Sequence, residues 1–169
     1  YTVIAKINPA RARVLRKGLF AGKSVLYWMS RDKRVDDNWA LLAAQSVALS
    51  NKVPLIVCFQ YIGNFPEANI RQYGFQLKGL LELRNKLQSL NIEFILVQGR
   101  ASEVIPRIID KKLVGTVITD YSPLKVYKKR VNTVLNRTKI PFYQIDAHNI
   151  IPVWEASPKK EYAAYTTVS

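Results

Sequence analysis

Short apolar runs alternate along this chain with longer stretches whose apolar residues recur at helical spacing. Residues 24–29 (Ser24, Val25, Leu26, Tyr27, Trp28, Met29) form such a run, β-branched and aromatic, too short for a buried helix and suited to a strand covered on both faces. Further runs occupy residues 53–59, 92–97, 116–119 and 141–145, with Pro54 tolerated near the start of its strand. Between the first two, residues 37–50 are rich in Ala and Leu and put Leu41, Leu42, Ala44, Ala48 and Leu49 on one broad face. From Arg71 the positions Tyr73, Leu77, Leu80, Leu83, Leu87 and Leu90 predict a long amphipathic helix ending at Asn91. Ser102 reads as the cap of a helix bearing Val104, Ile105, Ile108 and Ile109, with Pro106 in its first turn. Residues 125–137 turn Tyr127, Val131, Val134 and Leu135 inward and Lys128, Lys129 and Asn132 outward, leaving a basic stripe. This alternation predicts an α/β fold, a mainly parallel sheet of about five strands with helices on both faces.

The strand ends are polar. Ser30-Arg31-Asp32-Lys33-Arg34 follows the first strand, and Asp36-Asp37-Asn38 then offers an N-cap, with carboxylates at the favourable end of the dipole, to a helix beginning near Trp39. Arg31, Asp32, Arg34, Asp37 and Asn38 are expected to form a hydrogen-bonded cluster that positions the helix and a neighbouring domain. Asp32, Asp37, Asp120 and Asp146 gather carboxylates at strand ends, a polar crevice with no identifiable nucleophile. The only histidine, His148, lies beside Asp146 on the same strand end and reads as structural. No dinucleotide fingerprint, Walker loop, nucleophile elbow or Cys/His metal spacing occurs.

Composition adds further constraints. At 169 residues, 49% hydrophobic, the chain can bury one sizeable core. Lys and Arg number 26 against 12 Asp and Glu, a net charge of +14 that points to a polyanionic partner. The first 23 residues form a basic lead-in without an acid, in which residues 11–15 are a short helix or extended arm. Cys58, the one cysteine, lies in an apolar run, so an internal disulfide is excluded and a reducing compartment is compatible. No apolar stretch approaches the ~18 residues of a membrane helix, so the chain reads as soluble and intracellular, cytoplasmic in a prokaryote. A start at Tyr1 and an end at Ser169 suggest a piece of a longer protein.

Tyr27-Trp28-Met29-Ser30-Arg31-Asp32-Lys33-Arg34-Val35-Asp36-Asp37-Asn38-Trp39-Ala40-Leu41-Leu42 resembles the opening motif of class II cyclobutane pyrimidine dimer photolyases, in the photolyase and cryptochrome superfamily. Arg71-Gln72-Tyr73-Gly74-Phe75, then Thr119-Asp120-Tyr121-Ser122-Pro123-Leu124, then Asp146-Ala147-His148-Asn149-Ile150-Ile151-Pro152-Val153-Trp154 with Glu161-Tyr162-Ala163-Ala164, resemble later signatures of the same N-terminal region, in the same order. Tyr165 departs from the pattern, where the family tail has Arg.

The resemblance implies a Rossmann-like three-layer sandwich with strand order 3-2-1-4-5. Its domain plan is a basic lead-in over residues 1–23, an antenna domain over 24–151, and a connector over 152–169 toward an absent helical domain that holds FAD. It further implies repair of ultraviolet-damaged DNA by light-driven electron transfer from reduced FAD, with DNA met mainly through the absent domain, no membrane and a monomeric state. A fragment of this kind does not repair alone. An antenna chromophore, a deazaflavin or a folate, is implied for the α/β domain, and the aromatic, polar strand ends nominate Phe59, Gln60, Tyr61, Asp120 and Tyr121 as its lining. Two alternatives share the fold: a cryptochrome-like light receptor and a free-standing nucleotide-binding α/β module.

Overall fold

The computed structural model describes residues 8–61 and 70–156, with the side chains of residues 70–73 and 75–77 left out. Six strands form one sheet: β1 (Ala12–Arg16), β2 (Ser24–Met29), β3 (Leu55–Tyr61), β4 (Glu93–Gln98), β5 (Val114–Asp120) and β6 (Phe142–Ile145), in the order β1-β6-β5-β2-β3-β4. The helices are α1 (Trp39–Asn51), α2 (Ile70–Ser89), α3 (Ala101–Lys111), α4 (Lys125–Leu135) and the short α5 (Val153–Ala156). Strands β2 to β6 are parallel in the expected order, and β1 adds an antiparallel edge beside β6.

β2 is central because it is apolar on both faces. All of its residues are buried, and period-2 alternation divides them between two cores. Val25, Tyr27 and Met29 face α1 and α2, packing with Ala40, Ala44, Val47, Leu83 and Leu87. Leu26 and Trp28 face α3 and α4, packing with Ile105, Ile109, Val131 and Val134. Small residues on α1 bring that helix close to the sheet. Cys58 lies in the second core, where burial pushes its thiol up to about 12.

The structure departs from the sequence reading in four places. The basic lead-in is not simply a solvated arm: Arg11 ends a short 3-10 turn and Ala12–Arg16 is a strand, with Ala12 opposite Ile145 and Val14 opposite Tyr143. On α1 the buried stripe is Ala40, Leu41, Ala43, Ala44, Val47 and Ala48, whereas Leu42 and Leu49 are exposed because they fall on the far side of the 3.6-residue turn. α3 starts at Ala101, so Ser102 is not its cap and Pro106 lies inside the helix. Pro106 cannot donate to the Ser102 carbonyl one turn back, and Arg137 Nη1 from beyond α4 donates to it instead, at 3.0 Å. Leu90 lies beyond α2 and is exposed. The turn around Gly63 and the motif residues Glu161-Tyr162-Ala163-Ala164, with Tyr165, lie outside the described residues.

Entry into β2 depends on two glycines. A Cβ on Gly22 would lie 2.2 Å from the Gly115 backbone nitrogen, and one on Gly115 would lie 2.5 Å from the Phe20 ring. The lead-in therefore crosses the start of β5 at a backbone-to-backbone distance that admits no side chain. Gly22→Ala is expected to cost about 3 kcal/mol through forced displacement of β5. Urea unfolding should show a lowered midpoint at unchanged m-value, and a midpoint equal to wild type would refute the close approach.

Candidate functional site

The site is built at the carboxyl ends of β2, β5 and β6. β2 and β5 run in register, Tyr27 beside Ile118 and Trp28 beside Thr119, so the chain leaves β2 next to Asp120. Asp120 is almost completely buried. Its Oδ1 accepts from the Tyr27 hydroxyl at 2.6 Å, and its Oδ2 accepts from the Ser30 and Arg31 backbone N–H groups at 2.7 and 2.8 Å. Tyr27 in turn accepts from Asn38 Nδ2 at 3.1 Å.

Asn38 is fully buried and caps α1, its Oδ1 accepting from Leu41 N at 3.0 Å. Its Nδ2 also lies 3.1 Å from the Asp32 carbonyl and 3.0 Å from the Arg34 carbonyl, so one amide closes the charged turn onto the helix it starts. The remaining turn residues are used differently. Arg34 Nη2 donates to the Asp37 carbonyl, while Asp37 is exposed and takes a left-handed φ of 51°. Asp32 is buried, with Oδ1 3.6 Å from His148 Nδ1. Asp32 Oδ2, Arg31 Nη1 and Gln60 Oε1 are buried polar atoms with no hydrogen-bond partner among the described residues. Asn38 is thus the hub through which the charged turn is joined, by backbone carbonyls rather than by ion pairs among the side chains.

Of the nominated lining, Phe59 and Tyr61 stand on the α1/α2 side of β3, and Lys33 Nζ lies 4.9 Å above the Phe59 ring, its pKa lowered by burial. Gln60, between them, alternates to the opposite face and donates to the Gly99 carbonyl. Tyr121 packs edge-on against Trp154, centroids 5.4 Å apart. The five residues therefore belong to different faces and partners. A separate groove of about 340 Å³, lined by Leu80, Leu81, Arg84, Phe94 and Leu96, lies between α2 and β4.

Sequence reasoning missed a second network. The Arg11 guanidinium donates to the Asp146, Asn149 and Ile150 carbonyls at 3.1, 2.8 and 2.7 Å and stacks 5.2 Å over the Trp39 ring. Asp146, fully buried, accepts from His148 N, Asn149 N and Val153 N, and Trp154 Nε1 donates to the Ala10 carbonyl. His148 therefore faces Asp32 with its ring, while Asp146 holds its backbone. No local signal marked it, since Arg11 and Asp146 lie 135 residues apart.

With this geometry in place, the comparisons are specific. Residues 25–169 match the DNA photolyase family. The chain belongs to that family, as its N-terminal α/β domain, in agreement with the class II motifs. It is 40% identical over 167 residues to the deoxyribodipyrimidine photo-lyase of Arabidopsis thaliana, covering 95% of this chain and 34% of that protein. It is 41% identical to the one from Potorous tridactylus (95% and 31%) and 34% identical to that of Methanothermobacter thermautotrophicus (86% and 32%). The chain thus spans about a third of the length of these curated relatives. The fold matches a class III photolyase from Agrobacterium tumefaciens with a TM-score of 0.62 at 19% identity, over 78% of this chain and 27% of that one.

Burial raises the Asp120 carboxyl above its ordinary range; donors from Tyr27, Arg31 and Ser30 oppose this and Asp32 adds to it. The folded state then holds the proton more tightly than the unfolded chain. This group's contribution is full below the unfolded carboxylate value and is lost as pH rises through the raised one. Asp120→Asn cannot titrate. The stability of wild type relative to that variant should therefore increase as pH falls from neutral, measured by urea unfolding of both at each pH; a difference independent of pH would contradict it.

Proposed function

We propose that this chain is the α/β domain of a photolyase that repairs cyclobutane pyrimidine dimers in ultraviolet-damaged DNA. The observation that carries the reading is the family match over residues 25–169 together with photo-lyase relatives at 40–41% identity. Reduced FAD, held outside these residues in a helical C-terminal domain, supplies the light-driven electron that opens the cyclobutane ring. The chain's own part is to scaffold that domain and to carry an antenna. The Asp120–Tyr27–Asn38 network holds the β2 exit in one conformation, and Arg11 and Asp146 fix the exit segment leading toward the connector.

Illuminated full-length protein carrying reduced FAD should restore dimer-containing DNA to intact pyrimidines, followed by loss of the dimer in the oligonucleotide, and the isolated domain should not. A full-length protein that binds FAD and leaves dimers intact would move the assignment to a cryptochrome-like receptor.

For the antenna, the candidate donors and acceptors are buried polar atoms at the strand ends. Arg31 Nη1 is a buried donor, Asp32 Oδ2 and Gln60 Oε1 are buried acceptors, and all three follow or end the neighbouring strands β2 and β3. Each could meet an N–H or carbonyl group of a deazaflavin or folate, with Asp120 holding the turn that carries Arg31. Titration of the full-length protein with a deazaflavin and with a reduced folate should give energy transfer to FAD, read as quenched antenna fluorescence. Gln60→Leu should weaken binding about tenfold, the scale of one lost buried hydrogen bond. Binding unaltered by Gln60→Leu, or no binding of either compound, would remove the site.

A further inference from the structure

The pairing of β1 with β6 brings together two distant parts of the chain that carry no acidic residue, residues 8–23 and residues 121–145. From the second come Lys125, Lys128, Lys129 and Arg130 on α4, followed by Arg137 and Lys139. From the first come Arg13, opposite Gln144, Arg16, opposite Phe142, and Lys17. Leu15 of β1 packs into the same core as Val131 and Val134 of α4, so the strand and the helix share one edge of the molecule. The cations of that edge are mostly exposed. The described ion pairs lie elsewhere, at Lys86–Asp36, Lys112–Glu93 and His148–Asp32, and none among the described residues neutralises a cation of α4.

This placement is unfavourable for the domain alone. Lys125, Lys128 and Lys129 repel one another at helical spacings of three and four, and they sit in the first turns of α4, where the helix dipole disfavours cations. α4 has no side-chain N-cap and no acid in its first turn to offset them. Asn132 and Asn136 continue the same outward stripe, adding neutral hydrogen-bond donors along a helix of 11 residues, about 16 Å long. Closely spaced anions resolve the conflict. Duplex DNA, with one phosphate charge per ~1.7 Å of axis, supplies them. Single strands are disfavoured by the lack of a stacking surface: Tyr127 is half-buried and already lies beneath the Arg130 guanidinium, 4.8 Å from its ring.

We propose that the β1–α4 edge is an auxiliary contact for the phosphate backbone of duplex DNA, indifferent to sequence and to the lesion. The choice of DNA as the polyanion rests on the function proposed above.

The test measures binding of full-length protein to undamaged and dimer-containing duplexes by fluorescence anisotropy across a salt series. Lys128→Gln/Lys129→Gln is compared with Lys52→Gln/Lys78→Gln, which removes the same charge from exposed positions at the end of α1 and on α2. The first variant should show a log K against log salt slope shallower by about 2, or ~0.9 per lost phosphate contact, with the two duplexes weakened by the same factor. The second should keep the wild-type slope. Equal slopes in the two variants would overturn the proposal and leave this edge to an acidic protein surface, and so would weakening confined to the damaged duplex. A wild-type protein that fails to repair dimers yet shows the slope change would refute the photolyase reading and leave the DNA contact standing.

Discussion

One buried carboxylate sets the geometry of the strand ends. Asp120 is removed from water at the end of β5, and a carboxylate in that position requires donors. Those it finds are the Tyr27 hydroxyl and two consecutive backbone N–H groups of the segment leaving β2. Two hydrogen bonds to consecutive amides hold both the position and the direction of the emerging chain. Asn38 is then brought against Tyr27, and α1 starts where Asn38 can cap it. The side chains of Arg31 and Asp32 keep buried atoms that have no partner among the described residues.

The second organising region is the β1–β6 edge. Parallel α/β sheets usually stop at a strand whose outer row of backbone groups is open, and here β1 covers β6. The same lead-in supplies Arg11, whose five N–H groups suit the convergent carbonyls of residues 146–150. The segment is thereby held by hydrogen bonds and one cation–π contact, beside the packing of Ala12, Leu15 and Phe20 against the two cores. The basic residues beyond Arg11 remain free to face outward.

Which features could be read from the sequence follows from how local their causes are. Parallel strands buried on both faces appear as continuous apolar runs, so β2, β3, β5 and β6 were recognisable; the edge strand β4 is only partly buried yet keeps the apolar run of residues 94–97, and the Asn38 cap was marked by its neighbours in sequence. β1 was not, because Ala12-Arg13-Val14-Leu15-Arg16 has the composition of a solvated arm and its partner strand lies some 130 residues away. The Tyr27–Asp120 bond joins residues 93 apart and leaves no local trace. Gln60 is a different case. Adjacent strand residues point to opposite faces, so Phe59, Gln60 and Tyr61 were never able to line one surface, and the period-2 rule alone separates them.

The Arg11 clamp also decides how mechanical load passes through the domain. Tension applied to the chain beyond α5 is delivered through Trp154 and the Asp146 loop to Ala10 and Arg11, and from there along β1. β1 and β6 are antiparallel neighbours whose ladder would be loaded in shear, with several hydrogen bonds resisting together rather than opening one after another. β5, which carries Asp120, adjoins β6 on its other side, so the Asp120 network lies one strand in from that path. Movement of a domain attached past residue 156 would thus strain the periphery of the sheet first and reach the strand ends only through the β5–β6 ladder.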